Sequence, residues 1–222
     1  MNIYYKISLF LNLLKYFIRD KYINHENDHI LFLKDYFKNK KKGFYIDVGC
    51  YHPIRMSNTK FLHDNKWKGI NIDISKRSID LFKIARKKDI NLNIGIGDKN
   101  ELSEAYFKKD IFHANTLVDD HAKVFLDSST TKKIVVRTLS FVIEKYAKDK
   151  KIDLMDIDCE GKDLAVLRGL NFNENQIDLI SIEMHEYDEI TKKKSKLILD
   201  IMVKNKFKKI YGDSSTSIFK KF

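Results

Sequence analysis

Tyr45-Ile-Asp47-Val-Gly49-Cys-Tyr-His52-Pro53 ends a β-leaning run with one acid and one glycine. Gly49 has no Cβ, so its backbone can approach a ligand closely, and Asp47 offers an acceptor at the strand end. A pyrophosphate would demand bare backbone amides at a helix N-terminus and a Gly-x-Gly-x-x-Gly turn. This turn has a single glycine and an acid, so a cationic or zwitterionic ligand fits better, a sulfonium amino acid rather than a nicotinamide dinucleotide. Taken alone, Asp-x-Gly also simply closes a β-turn. Asp73 follows 24 residues after Gly49, where an acid at the second strand end clamps the two ribose hydroxyls of an adenosine. Further on, Gly95-Ile-Gly97-Asp98 leaves room for an adenine, with Asp98 as acceptor for its amino group, although acids are common in turns.

These residues need strands whose carboxyl ends share one edge. Phe44–Val48, Gly69–Asp73, Ile90–Ile96, Ile152–Asp158, Ile177–Glu183, Phe207–Tyr211 and Ser217–Lys221 read as strands, and Lys132–Arg137 as an added one. Helical periodicity runs over Asn58–Lys66, Lys76–Lys88, Leu139–Lys148, Lys162–Leu170 and Glu189–Asn205. The alternation predicts an α/β domain, a mostly parallel seven-stranded sheet with helices on both faces. Gly212-Asp-Ser-Ser joins the last two strands as a C-terminal antiparallel hairpin. Asp98–Thr131 is the least readable segment, with a candidate strand at Ala105–Lys108 and a loop or short helix around Leu117–Leu126. A long irregular stretch in a compact domain is often functional, so a substrate lid is expected there.

Asp47-Val-Gly-Cys-Tyr-His-Pro-Ile-Arg-Met-Ser-Asn-Thr59, followed by Trp67-Lys-Gly-Ile-Asn-Ile-Asp73, resembles the cofactor signature of the FkbM-type methyltransferases, in particular their polysaccharide-cluster members. Asp156-Ile-Asp158-Cys-Glu160-Gly161, with a helix ending in Leu-Arg-Gly169, is similar to the family's fourth-strand motif, and Ile182-Glu183-Met-His185 to its fifth-strand acid and histidine. Cys50 and Cys159 stand where the family more often has Ala and Val. The resemblance implies a Rossmann-like fold and S-adenosylmethionine as cofactor, with a cleft drawn from Asp47, Gly49, Cys50, His52, Asn58, Thr59, Asp73, Gly97, Asp98 and Asp158. It also implies a sugar or glycan acceptor, a hydroxyl of a cell-surface polysaccharide or its precursor. Methyl transfer needs an acceptor held in line and its proton removed. The catalytic candidates are Asp158, Glu160, Glu183 and His185, with Asp158 facing the cofactor and Glu160 or His185 as base or orienting group. The same four groups could gather Mg²⁺ or Mn²⁺, but a well-placed base suffices, and no metal is expected.

The 222 residues suit one domain, 43–222, preceded by an N-terminal helical extension, 1–42. Hydrophobic residues make up 43% and charged ones 33%, which excludes a disordered tail or a membrane bundle. Lys and Arg number 42 against 31 acids, a net charge of +11. The cations are scattered and mostly lysine, so a solvated surface is expected and nucleic acid is disfavoured. Two cysteines make no disulfide framework and point to a reducing, cytoplasmic setting. Ile3, Ile7, Phe10, Leu11, Leu14, Phe17 and Ile18 keep helical spacing. Lys6 and Lys15 interrupt this segment, which weighs against a span or export signal. It is expected to pack on the domain, or to make peripheral membrane contact. Two rivals stay open, an RNA methyltransferase and a non-catalytic binding module that has lost turnover.

Overall fold

The computed structural model describes residues 2–22, 27–110, 113, 115–118 and 130–222. Two helices, α1 (Ile3–Tyr22) and α2 (Asp28–Phe37), precede β1 (Phe44–Val48), α3 (Lys60–Asp64), β2 (Lys68–Ile72) and α4 (Lys76–Ala85). Short strands β3 (Ile90–Leu92) and β4 (Gly95–Gly97) lead to β5 (Glu101–Phe107) and β6 (Thr130–Thr138). The chain closes through α5 (Leu139–Tyr146), β7 (Ile152–Ile157), α6 (Asp163–Arg168), β8 (Ile177–Glu183), α7 (Glu189–Lys204), β9 (Phe207–Gly212) and β10 (Thr216–Lys221).

Strands covered on both faces must be apolar almost end to end, and β1 and β7 are buried at every position. The main sheet has the order β3-β2-β1-β7-β8-β10-β9. Its first five strands run parallel, and β10 pairs antiparallel with both β8 and β9. This is the expected α/β Rossmann-like sheet with its closing hairpin. On one face Ile46, Val48, Ile72 and Ile157 pack with Leu139 of α5, Val166 of α6 and Met202 of α7. On the other, Tyr45, Leu154, Leu179 and Ile218 pack with Ile30, Leu33 and Phe37 of α2 and with Trp67. Strand order reverses between β1 and β7, the point beyond which open α/β sheets bind ligands.

The third strand departs from expectation. Ile90–Ile96 is not one strand: β3 stays on the main sheet while β4 leaves it to pair with β6. Asn93 lies between them and donates from its amide to the carbonyls of Asp73 and Ile74, 3.0 and 2.8 Å away. That anchorage turns the chain. The added strand is β6, the centre of a second sheet β4-β6-β5, and the expected strand at Ala105–Lys108 is the far end of the longer β5. Most of the loop or helix expected at Leu117–Leu126 lies outside the described residues.

The N-terminal helix packs by a face other than the apolar stripe read from its sequence. Leu9 and Leu13 bury against Leu81 of α4, while Tyr5 bonds Asp80 and Asn12 bonds His52 on the same side. Ile3, Ile7, Phe10, Leu14 and Phe17 face outward. Among the described residues no helix is long and apolar enough to cross a membrane.

Arg86, at the end of α4, is 1% exposed and ties the sheet to the loop after β1. Its guanidinium donates to Tyr45 and Thr59 hydroxyls, the Asn71 amide oxygen, the Ser57 hydroxyl and the Pro53 carbonyl, at 2.8 to 3.2 Å. The Phe82 ring lies 4.7 Å from the cation. Removing the donor would strand several buried acceptors, so Arg86→Met should lose on the order of 3 kcal/mol of stability. Urea unfolding is the check: the midpoint should fall clearly, whereas Lys148→Ala, which alters only an exposed pair with Glu144, should leave it in place.

Candidate active site

The cleft at the β1–β7 switch is assembled from four strand ends and one crossing segment. Val48, Gly49 and Tyr51 come from the end of β1, Ile72, Asp73 and Ile74 from β2, Ile94 to Ile96 from β4, and Asp158, Cys159 and Glu160 from β7. His113 and Asn115 to Leu117 cross over them, and the cleft they narrow stays open to solvent on one side.

Gly49 makes the meeting of β1 and β7 possible. Its φ is +86°, and a Cβ there would lie 1.7 Å from the Asp158 carbonyl oxygen, so no other residue fits. The turn is fastened on both sides: the amides of Gly49 and Cys50 donate to the Ile72 carbonyl, and the amide of Asp158 donates to that of Val48. Tyr51 follows in the left-handed region at φ 51°. That conformation aims its amide at Asp73 Oδ2, 2.8 Å away, while Asp73 Oδ1 accepts from the Ser75 amide at 2.6 Å. Burial raises the Asp73 carboxyl to about 6, and the two amide bonds oppose the rise. Each oxygen accepts one amide and retains lone-pair capacity for a hydroxyl.

Beyond Gly49 the cleft turns acidic. The Asp158 carboxyl is held well above the usual range by burial and by its neighbours Glu183 and Glu160. Glu160 stands at φ 49°, a strained position for a non-glycine residue. Burial, then Glu183 and Asp163, raise it to about 8, with His185 opposing. His185 Nε2 lies 2.9 Å from Glu183 Oε1, and that bond raises the imidazole above its ordinary value, against burial. Asp163, pushed up to about 7 by burial and Glu183, accepts from the amides of Cys159 and Gly161 and so shapes the turn after β7.

Of the residues expected here, Gly49, Asp73, Asp158 and Glu160 line the cleft, and Glu183 and His185 stand together at the neighbouring strand end. The others are placed elsewhere. Alternation along β1 sends the Asp47 side chain through the sheet to the α2 side, where it accepts from the Thr59 hydroxyl at 2.5 Å. Asn58 donates to Asp156, the in-register partner of Asp47, at 3.0 Å. Burial, followed by Asp156, raises Asp47 to about 7, and Arg86 and Thr59 offset part of this. His52 is held neutral, its value lowered to about 3 by burial and by Arg55 and Arg86. Its Nδ1 accepts from the amides of Ile54 and Arg55, so Nε2 carries the proton toward Asn12, 2.9 Å away. These four residues shape the loop from beneath. Cys50 is buried against Ile79 and Phe82, and both cysteines are free thiols. Gly97 sits in the second sheet against Val136, and Asp98 is exposed beyond it. Sequence reading passed over Tyr51, the isoleucine wall and Arg86, and reached His113 and Asn115 to Leu117 only as part of the Asp98–Thr131 stretch expected to hold a lid. The isoleucines carried a signal, since each flanks a strand end already singled out; Arg86 carried none.

The Methyltransferase FkbM domain model matches residues 47–209, and the chain belongs to that family. Membership makes it a methyltransferase and implies S-adenosylmethionine as methyl donor. No curated protein gives a significant match. A solved structure described as a putative rRNA methylase from Clostridium thermocellum is similar at 10% identity, with a TM-score of 0.49 over 89% of this chain and 99% of that one.

The residues present fit the donor. Asp73 suits a ribose diol, Ile72, Ile74, Ile94, Ile96 and Leu117 form an apolar slot for adenine, and Asp158 and Glu160 are acids whose ionised forms a cationic sulfonium would favour. Lys162 borders the same space and can face an amino-acid carboxylate. Gly49→Ala should weaken S-adenosylhomocysteine binding at least tenfold by calorimetry, because the turn must swing away from Asp158. An unchanged affinity would mean that the close approach is not part of the cofactor site.

Proposed function

We propose that this methyltransferase transfers its methyl group to a hydroxyl of a sugar, in a cell-surface polysaccharide or its precursor. The supporting observation is the acidic end of the cleft, where burial and the neighbouring Glu183 raise the proton affinity of Asp158, Glu160 and Asp163. Such a surface supplies hydrogen-bonding partners for the several hydroxyls of a sugar, where a phosphate backbone would call for cations. Tyr187, 64% exposed beside His185, adds an aromatic face on which a pyranose ring can rest.

The donor brings a methyl group already activated on a sulfonium. What the chain must provide is position and a proton acceptor. Glu160 lines the cleft and is the base in this reading; its value near 8 keeps it able to take a hydroxyl proton at a mildly alkaline pH. Glu183 holds the His185 ring, and this pair orients the acceptor from the next strand. Asp158 remains on the cofactor side, and His113 and Asn115 to Leu117 border the cleft.

Incubation with labelled donor and a panel of glycans and RNAs, followed by mass analysis, checks the acceptor: a gain of one methyl group on a glycan is expected, and a gain on RNA alone would overturn the reading. On the glycan, kcat/KM should rise with pH through a midpoint near 8, as Glu160 loses its proton. Glu160→Gln should lose about a hundredfold in kcat together with that limb. A limb that persists in the variant would assign the base to another group.

A further inference from the structure

We propose that α1 is an interfacial helix that seats the enzyme on an anionic lipid bilayer. The helix is apolar on two sides. Its inner line, Leu9 and Leu13, is used up against α4, and Tyr5, Ser8, Asn12 and Tyr16 fix that side by hydrogen bonds to Asp80, Arg77, His52 and Arg55. The outer line is larger. Ile3, Ile7, Phe10, Leu14 and Phe17 follow one another at steps of four and three residues, and the two phenylalanines are 61% and 66% exposed. Leu11 and Ile18 broaden the stripe to roughly 120° of the helix circumference, wider than the two-position seam of a coiled coil.

Charge decides between the possible occupants. Lys6 borders the stripe on one side and Lys15 on the other, with Arg19 a further step round, so cationic stems flank an apolar centre as in helices lying at a lipid headgroup boundary. Asp20 is the one acid in the α1 sequence, and it points away from the stripe toward Lys60. Two copies of this face brought together would oppose like charges in a chain already at +11, whereas an anionic surface complements every one of them. Ten Å of headgroup depth, as an order of magnitude, is enough to take up the phenylalanine rings without any part of the chain crossing the bilayer.

Flotation of the full chain with vesicles tests this, comparing phosphatidylcholine alone with a mixture of phosphatidylcholine and phosphatidylglycerol. The protein should float with the mixed vesicles and much less with the neutral ones. Phe10→Ser combined with Phe17→Ser should reduce binding at least tenfold while leaving the melting temperature unchanged, since both rings are already exposed. Lys6→Gln and Lys15→Gln should each weaken it about fivefold. Failure to float at low ionic strength, or equal floating of the phenylalanine variant, would overturn the proposal. So would a dimer in light scattering that the same variant splits, which would make the stripe a self-contact. None of these readouts depends on turnover, so they stand or fall apart from the acceptor.

Discussion

A carbonyl oxygen at the end of β7 occupies the space that a side chain at position 49 would need. Because Gly49 leaves that space empty, β1 and β7 can end side by side and the turn between them can remain bare backbone. From that contact the rest of the site follows in order. Gly49 and Cys50 dock on Ile72, Tyr51 is forced into the left-handed region, and its amide meets Asp73. Behind the sheet Arg86 gathers Ser57, Thr59 and Pro53 onto Tyr45 and Asn71, which holds the loop in place without occupying the cleft.

The two sides of β1 divide the work. One side holds buried polar contacts in which Thr59 donates to Asp47 and accepts from Arg86 while Asn58 donates to Asp156; the other opens at the strand ends into the cleft. Concentrating Asp158, Glu160 and Asp163 beside Glu183 costs stability, since burial and the neighbouring carboxylates favour the neutral forms of the first three. A sulfonium ligand offsets that cost by bringing opposite charge, and the raised proton affinity of Glu160 fits it to take up a proton during transfer.

Much of this could be read before the structure, for identifiable reasons. Parallel strands covered on both faces are near-continuous apolar runs, so β1, β2, β7 and β8 stood out, and the lone glycine and the acids at their ends marked the edge. What escaped were tertiary choices. Asp47, Asn58 and Thr59 belong to the signature, yet strand alternation and the pull of a distant arginine carry them beneath the turn. Nothing near Arg86 in sequence announces five acceptors contributed by residues 45 to 71. The third strand reads as one run because Asn93 differs from its neighbours only by an amide that finds two carbonyls. In α1 the wider apolar stripe was the natural choice for the packed face, but Tyr5, Asn12 and Tyr16 had partners on the narrower one.

A carboxylate that uses one lone pair of each oxygen on backbone amides can still receive two hydroxyls, and on that capacity of Asp73 the adenosine site depends. Calorimetric titration of S-adenosylhomocysteine into Asp73→Ala measures it directly, with Asp98→Ala as the comparison. Loss of two hydrogen bonds to a charged group should weaken binding about a hundredfold at position 73, and the exposed Asp98 should matter little. Equal affinity of Asp73→Ala and the unaltered protein would contradict the site.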